Sequence, residues 1–190
     1  MTRRLALVLV VVAGILALDQ WSKRWVTENL QFHAPVEVLG PFVRLTYTRN
    51  SGVAFGLGAG TGFPYYLFSI IAILVILGMF VRRAVQGRWQ TLSLALIMGG
   101  ALGNLVDRLA SGEVVDFIEI GWSRWHWPIF NVADSAVSVG VVMFALAWSH
   151  RERIAHEVEH AQNRGVVGGP AAPGGAAGPL PGGDPDGSLT

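Results

Sequence analysis

The sequence predicts a membrane all-α protein with four transmembrane helices and a small extracytoplasmic β-sheet region. Of its 190 residues, 52% are hydrophobic and only 14% are charged, a composition typical of membrane proteins. Four apolar segments, at about 5–26, 64–81, 91–109 and 132–148, approach the roughly 20 residues that a helix needs to cross a bilayer. Between the first two segments, apolar and polar side chains alternate, which indicates strands.

The first span begins after two arginines and resembles the core of a secretory signal peptide. However, Asp19-Gln20-Trp21-Ser22-Lys23 stands where small residues would mark a cleavage site. Continued to Val26, the segment is long enough to cross a bilayer, with Trp21 and Trp25 at the interface. We therefore predict a helix that is retained in the membrane.

The β region is predicted over residues 28–62, where 36–38 and 43–49 alternate and are rich in β-branched types. Glycines in the following segment, 50–56, indicate a turn. The turn is either a hairpin connection or a place where the backbone closely approaches another group.

The later elements follow from composition. Small residues at 99–103 would let the third span pack closely against its neighbours. Residues 111–130 form a connection with three interfacial tryptophans, and a polar cytoplasmic helix is predicted at 151–164. Residues 165–190 are rich in Gly and Pro and are predicted to be a disordered tail.

Four spans place both termini on one side, and the arginine pairs at 3/4, 82/83 and 151/153 predict that this side is cytoplasmic. Four basic residues on the other side weaken this asymmetry. Polar residues then collect at the extracytoplasmic ends of the spans: Asp19, Lys23, Asn104, Asp107, Arg108, Asn131 and Asp134. A charge within hydrocarbon costs at least about 2.5 kcal/mol, so these residues need partners or a function.

Some of these residues have a structural explanation. Asp19 and Lys23 are four residues apart and would pair on one helix. Asn104 and Arg108 share a helical face, where Arg108 would neutralise a nearby carboxylate. Asp107 lies one position off that face and would either hold the Trp-rich connection or contact a substrate.

Asp116 and Asp134 lie on either side of a short connection at one membrane face. Asn131 resembles a helix N-cap with Asp134 at the third helical position, which explains Asp134 structurally and also favours its ionised form. The apolar neighbours of Asp116 favour its protonated form. Two carboxylates in such different environments, or two that share one proton, form the acid–base pair of aspartic protease chemistry.

Other function classes find less support. The net charge is +1 with dispersed basic residues, which gives no indication of nucleic-acid binding, and the absence of cysteine excludes thiol nucleophiles and thiolate metal sites. The segment His156-Glu157-Val158-Glu159-His160 matches a zinc protease motif. It lies beyond the last span without a convincing third ligand, which favours a solvated helix. Zinc catalysis and non-catalytic lipid or lipoprotein binding are the alternatives to an aspartic protease.

Five motifs together resemble the lipoprotein signal peptidase (signal peptidase II) family. In chain order they are Asp19-Gln-Trp-Ser-Lys23, Asn50-Ser-Gly-Val-Ala-Phe-Gly56, Gly103-Asn-Leu-Val-Asp-Arg-Leu109, Val115-Asp-Phe117 and Phe130-Asn-Val-Ala-Asp-Ser135. The resemblance covers about residues 5–150, and only the Gly- and Pro-rich tail falls outside the pattern.

The resemblance implies a bacterial inner-membrane aspartic endopeptidase that needs no cofactor or metal and acts as a monomer among membrane lipids. Its substrates would be diacylglyceryl-modified prolipoproteins, cut just before the lipidated cysteine, and its inhibitors globomycin-type cyclic peptides. By motif position Asp116 and Asp134 would be catalytic. Substrate binding or support of the site is implied for Asp19, Lys23, Asn50, Gly52, Asn104, Arg108, Asn131 and Ala133.

Overall fold

The computed structural model describes residues 2–52, 64–85, 87–122 and 125–163. The chain divides into two compact units, Met1–His150 and Arg151–Thr190. The described elements are α1 (Thr2–Asn29), β1 (Pro35–Leu39), β2 (Val43–Asn50), α2 (Tyr66–Val81), α3 (Arg88–Ser111), β3 (Val114–Trp122), β4 (Trp125–His126) and α4 (Val132–Asn163). All four predicted apolar segments are therefore helical, and the predicted disordered tail lies outside the described residues.

Among the described helices, three are long and apolar enough to cross a membrane: α1, α3 and α4. Helix α2 is the most apolar of the described helices but has only 16 residues, or about 24 Å at 1.5 Å per residue. Helices α1, α3 and α4 extend beyond the predicted spans because good helix formers such as Arg, Glu and Ala continue them past their apolar segments, whereas α2 stays within its predicted span. The predicted polar helix at 151–164 is accordingly the C-terminal part of α4.

The glycines of α3 allow close contact with α1 and α4, as predicted. A Cβ atom on Gly100 would lie 2.3 Å from the carbonyl oxygen of Ala133, and one on Gly99 would lie 2.9 Å from the Cβ of Ile15. Such distances are too short for any side chain, so only glycine fits where these backbones approach. The close packing brings the first turn of α4 against the middle of α3, close to the polar residues of both helices.

The sheet is antiparallel and four-stranded, in the order β1-β2-β3-β4. The prediction was wrong in placing the β region within 28–62 alone, because β3 and β4 belong to the segment that was read as a connection. Asp116 and Phe117, neighbours in β3, are both buried. A strand that buries side chains on both faces lacks the apolar–polar alternation by which β2 was recognised.

Two contacts fix the sheet beside the helices. Val26 of α1 packs with Tyr47 of β2 and Phe117 of β3 in one buried cluster. The backbone N–H groups of Phe117 and Ile118 both donate to the carbonyl of Phe130, just before α4. Asp116 is therefore held next to the N-terminus of α4, opposite Thr48 in the strand register.

Candidate active site

Asp116 and Asp134 line the same cleft, which has a volume of about 720 Å³. Asp116 extends from β3 and is almost fully buried, with 3% of its surface exposed. Asp134 belongs to the first turn of α4 and is partly exposed. The cleft is further lined by Asn50, Arg108, Ile120, Trp125, Trp127, Pro128, Ile129, Phe130, Ser135, Val137, Ser138 and Val139.

Asp134 is held by the N-cap that the sequence predicts. Its backbone N–H donates to Asn131 Oδ1 at 2.8 Å, and the N–H of Asn131 donates to Asp134 Oδ2 at 3.3 Å. This reciprocal capping box satisfies two backbone donors at the start of α4. The helix N-terminus also stabilises negative charge on Asp134.

Two buried amides connect the carboxylates. Asn131 Nδ2 donates to Asp116 Oδ1 at 2.7 Å, and Asn104 Nδ2 donates to Asp134 Oδ1 at 2.7 Å. Asn131 Nδ2 also donates to Asn104 Oδ1 at 3.2 Å. The two amides thus orient both acids within one hydrogen-bond network.

Burial raises the pKa of Asp116 to about 7, and the negative charge of Asp134 adds to this effect. Hydrogen bonds from Asn50 and Asn131, together with the charge of Lys23, oppose the shift. The sequence-based expectation that Asp116 favours its protonated form is confirmed in direction, and burial is the main cause.

A buried ionic cluster lies behind the amides. Lys23 Nζ lies 2.7 Å from Asp19 Oδ2 and 2.8 Å from Asp107 Oδ2, and it donates to Asn104 Oδ1 at 3.1 Å. The predicted Asp19–Lys23 pair is confirmed. Asp107, whose role the sequence left open, also accepts the backbone N–H of Val115 at 3.3 Å and so ties β3 to α3.

The predicted supporting residues that remain also reach this network. Asn50 Nδ2 donates to Asp116 Oδ2 at 3.1 Å, while Asn50 Oδ1 accepts the N–H of Gly52 at 2.9 Å. Arg108 Nη2 donates to the carbonyl of Gly52 at 3.1 Å. Ala133 is fully buried and donates its N–H to Asp19 Oδ1 at 2.9 Å. The rest of the 50–56 segment, from Val53 onward, lies outside the described residues.

Sequence reasoning missed two kinds of residue. Gln20 Nε2 donates to Asp107 Oδ1 at 2.9 Å and completes the ionic cluster, although no pattern in the sequence singled it out. Trp127 was read only as an interfacial residue but lines the cleft. Ser138 also lines the cleft, and its position four residues after Asp134 is a signal that was available.

The alternative zinc motif belongs to the second unit. The rings of His156 and His160 lie 6.5 Å apart on successive turns of α4, as their spacing requires. Within the part of the chain that the structure describes, no group of three His, Cys, Asp or Glu side chains is arranged to hold a metal ion.

The profile of the family described as Signal peptidase (SPase) II matches residues 11–149. The chain belongs to the signal peptidase II family. Its relatives include lipoprotein signal peptidases of Syntrophotalea carbinolica, 40% identical and covering 80% of this chain and 95% of that protein, and of Geobacter sulfurreducens, 40% identical and covering 75% and 91%. The resemblance carried by the five motifs is confirmed.

Solved structures agree with this assignment. Two bacterial membrane enzymes determined by the in meso method are similar in fold. The first has a TM-score of 0.70 at 29% identity, and the match covers 75% of this chain and 87% of that structure. The second has a TM-score of 0.65 at 30% identity, and the match covers 74% of this chain and 91% of that structure. As a signal peptidase II, this chain is a membrane protease of prolipoproteins, and its aspartic type follows from the family.

Proposed function

We propose that Asp116 and Asp134 are the catalytic pair and that the enzyme cuts diacylglyceryl-modified prolipoproteins just before the lipidated cysteine. The observation that carries this proposal is the shared cleft, in which two buried amides orient both carboxyl groups. One acid lies at a helix N-terminus and the other in a buried strand. Environments that differ in this way allow one carboxyl group to act as a base and the other as an acid.

In the proposed mechanism Asp134 is the initial base and Asp116 the initial acid. Asp134 takes a proton from a water molecule, which attacks the scissile carbonyl carbon. The protonated carboxyl of Asp116 donates a hydrogen bond to the carbonyl oxygen, which gains negative charge as the tetrahedral intermediate forms. The proton held by Asp134 then passes to the leaving amine nitrogen, the C–N bond breaks, and no covalent enzyme intermediate forms.

The remaining polar residues support this pair. Asn104 and Asn131 hold the carboxylates, while Asp19, Lys23 and Ala133 fix the backbone and amides behind them. Asn50, Gly52 and Arg108 form the rim where substrate backbone would be bound.

In the proposed topology all four helices cross the bacterial inner membrane, with the site at the extracytoplasmic face and both termini in the cytoplasm. Helix α2 is short for a span, but Pro64 and Tyr65 before it would lie in the interface. The chain contains no cysteine, so single cysteines can report topology directly. A cysteine in place of the exposed Glu37 should react with an impermeant maleimide in intact spheroplasts, and one in place of Arg82 only after lysis.

The decisive experiment uses purified enzyme with a diacylglyceryl-modified precursor and its unmodified counterpart, with and without globomycin. Only the modified precursor should be cut, and globomycin should block its cleavage. Asp116→Asn and Asp134→Asn should each abolish cleavage, whereas Glu28→Gln, which removes an exposed carboxylate from α1, should cleave normally. Near-normal turnover in either aspartate variant would remove the assignment of the pair.

The same assay separates the alternative functions. Zinc catalysis requires that a chelator stop the reaction and that His156→Ala do the same, whereas we expect neither to change the rate. A lipoprotein-binding protein would retain the precursor without releasing a product. The enzyme should be active as a monomer in detergent, with lipid and prolipoprotein as its partners.

A further inference from the structure

A second groove, of about 560 Å³, meets the catalytic cleft at Asp116. The two spaces share Asn50, Asp116, Trp127, Pro128 and Ile129. The remaining lining of the second groove is polar and comes from the two central strands, the short β4 and the residue that follows β2: Thr48, Arg49, Ser51, Glu119 and His126. A chain bound across Asp116 would therefore have one exit along α4 and another along the sheet.

The two exits differ in polarity. The catalytic cleft continues along Val137 and Val139 of α4, whereas the second groove follows β2. On the function proposed above, the scissile bond separates an apolar signal peptide from a more polar mature segment. An apolar chain suits the exit along α4, so the mature segment would leave by the groove on the sheet.

The charges in the groove are not equally compensated. Glu119 forms an ion pair with Arg44 and accepts a hydrogen bond from the hydroxyl of Thr46. Arg49 is 44% exposed, and its guanidinium lies 3.9 Å from the carboxylate of Glu113, which is itself 40% exposed. Such a long, exposed pair compensates little charge.

The position of Arg49 is nevertheless defined. Its Nε donates to the hydroxyl of Tyr47 at 2.9 Å, which fixes the side chain beside the groove. Its neighbour Asn50 donates to Asp116 Oδ2. Arg49 is thus the sequence neighbour of a residue that contacts Asp116. Its guanidinium therefore lies within reach of the first residues after the scissile bond.

We propose that Arg49 is a specificity residue that favours acidic over basic side chains in the first residues of the mature segment. This proposal rests on the function proposed above. Arg49 would recognise the substrate electrostatically, because its guanidinium attracts a carboxylate of the mature segment. This attraction needs no buried ion pair.

The test uses two diacylglyceryl-modified peptides that differ only in Glu or Lys at the third residue of the mature segment, in zwitterionic micelles. The wild type should show the higher kcat/KM for the Glu peptide. The kcat/KM of the Glu peptide divided by that of the Lys peptide should fall roughly fivefold in Arg49→Glu and roughly twofold in Arg49→Gln. The second change is smaller because it removes one exposed charge, whereas the first reverses it. Glu113→Gln should increase the ratio, since it removes the competing carboxylate.

Arg24→Glu is the matched control, because Arg24 is an exposed cation of α1 that does not line the groove. It should leave the ratio unchanged. Cleavage of both peptides with an unaltered ratio in Arg49→Glu would overturn the role of Arg49 while leaving the proteolytic function intact. A loss that affects both peptides equally, and only when anionic lipid is added, would assign Arg49 to a lipid phosphate instead. Failure to cut either peptide with wild-type enzyme would refute the proposed function itself.

Discussion

The alkaline side of the pH–rate profile should follow the ionisation of Asp116. Burial raises its pKa to about 7, and the mechanism requires this carboxyl to be protonated when the carbonyl is attacked. At pH 8 a group with this pKa is only about one tenth protonated, so kcat/KM should fall about tenfold for each further pH unit. The measurement is kcat/KM for one lipidated fluorogenic peptide from about pH 5 to about pH 9.

Asn50→Ala should move the alkaline limb of the pH–rate profile to higher pH. The amide of Asn50 donates to Asp116 at 3.1 Å and lowers its pKa, because the hydrogen bond stabilises the charged form. A hydrogen bond to a charged group contributes roughly 1.5–3 kcal/mol, or about one to two pKa units. Water in the open cleft will replace part of it, so the expected shift is about one pH unit.

Thr48→Val is the control for this shift. Thr48 donates to the backbone carbonyl of Asp116 at 3.2 Å, so it contacts the same residue without touching the carboxyl group. Its alkaline limb should coincide with that of the wild type. A limb that stays fixed in Asn50→Ala, or moves to lower pH, would show that another group sets the profile and would refute the acid role of Asp116.

Three further predictions concern stability. Burial raises the pKa of Asp116 from its usual 3.8 to about 7 in the folded protein. The folded state therefore binds a proton that the unfolded state releases, and the unfolding free energy should fall as pH rises from about 4 to about 7. Asp116→Asn should flatten this slope in thermal unfolding. Gly100→Ala should lower stability by roughly 1–3 kcal/mol, because its Cβ meets the carbonyl of Ala133, whereas Gly78→Ala, where the Cβ meets nothing within 4 Å, should be neutral or stabilising. Lys23→Met should destabilise by about 3–5 kcal/mol, because it leaves two buried carboxylates without their cation.

Each stability prediction has a result that would contradict it. An unchanged pH slope in Asp116→Asn would mean that other groups bind the proton. Equal unfolding temperatures for the variants at Gly100 and Gly78 would mean that α3 and α4 are not in close contact. If Lys23→Met unfolds like the wild type, the carboxylates of Asp19 and Asp107 are solvated rather than buried.

The helices and the cap were predictable because their signals are local. Apolar length identifies a span wherever it occurs, and the spacing of Asn131 and Asp134 specifies a capping box regardless of tertiary contacts. The pairing of Asp19 with Lys23 likewise depends only on helical geometry. These features could be predicted without knowing which helices and strands contact one another.

Strand β3 and the ionic cluster were not predictable in the same way. Asp116 occupies an inward position between apolar neighbours, so the strand that carries it shows no regular alternation. The ion pair of Asp107 with Lys23 joins α3 to α1, which is distant in sequence, and the hydrogen bond from Val115 adds β3 to the same cluster. Only the packing of α1 against α3 decides that Asp107 meets a lysine rather than a substrate.

The charges around the cleft give a physical reason for a single shared proton. With Asp116 protonated, two cations are set against three carboxylates in and beside the cleft: Lys23 and Arg108 against Asp19, Asp107 and Asp134. Ionising Asp116 would add another negative charge to a buried network that already has an excess of carboxylates. Lys23 is therefore linked to catalysis although it touches neither acid, because Asn104 accepts its hydrogen bond and donates to Asp134. Because the charge of Lys23 lowers the pKa of Asp116, removing this cation should raise that pKa and move the alkaline limb of the pH–rate profile to higher pH.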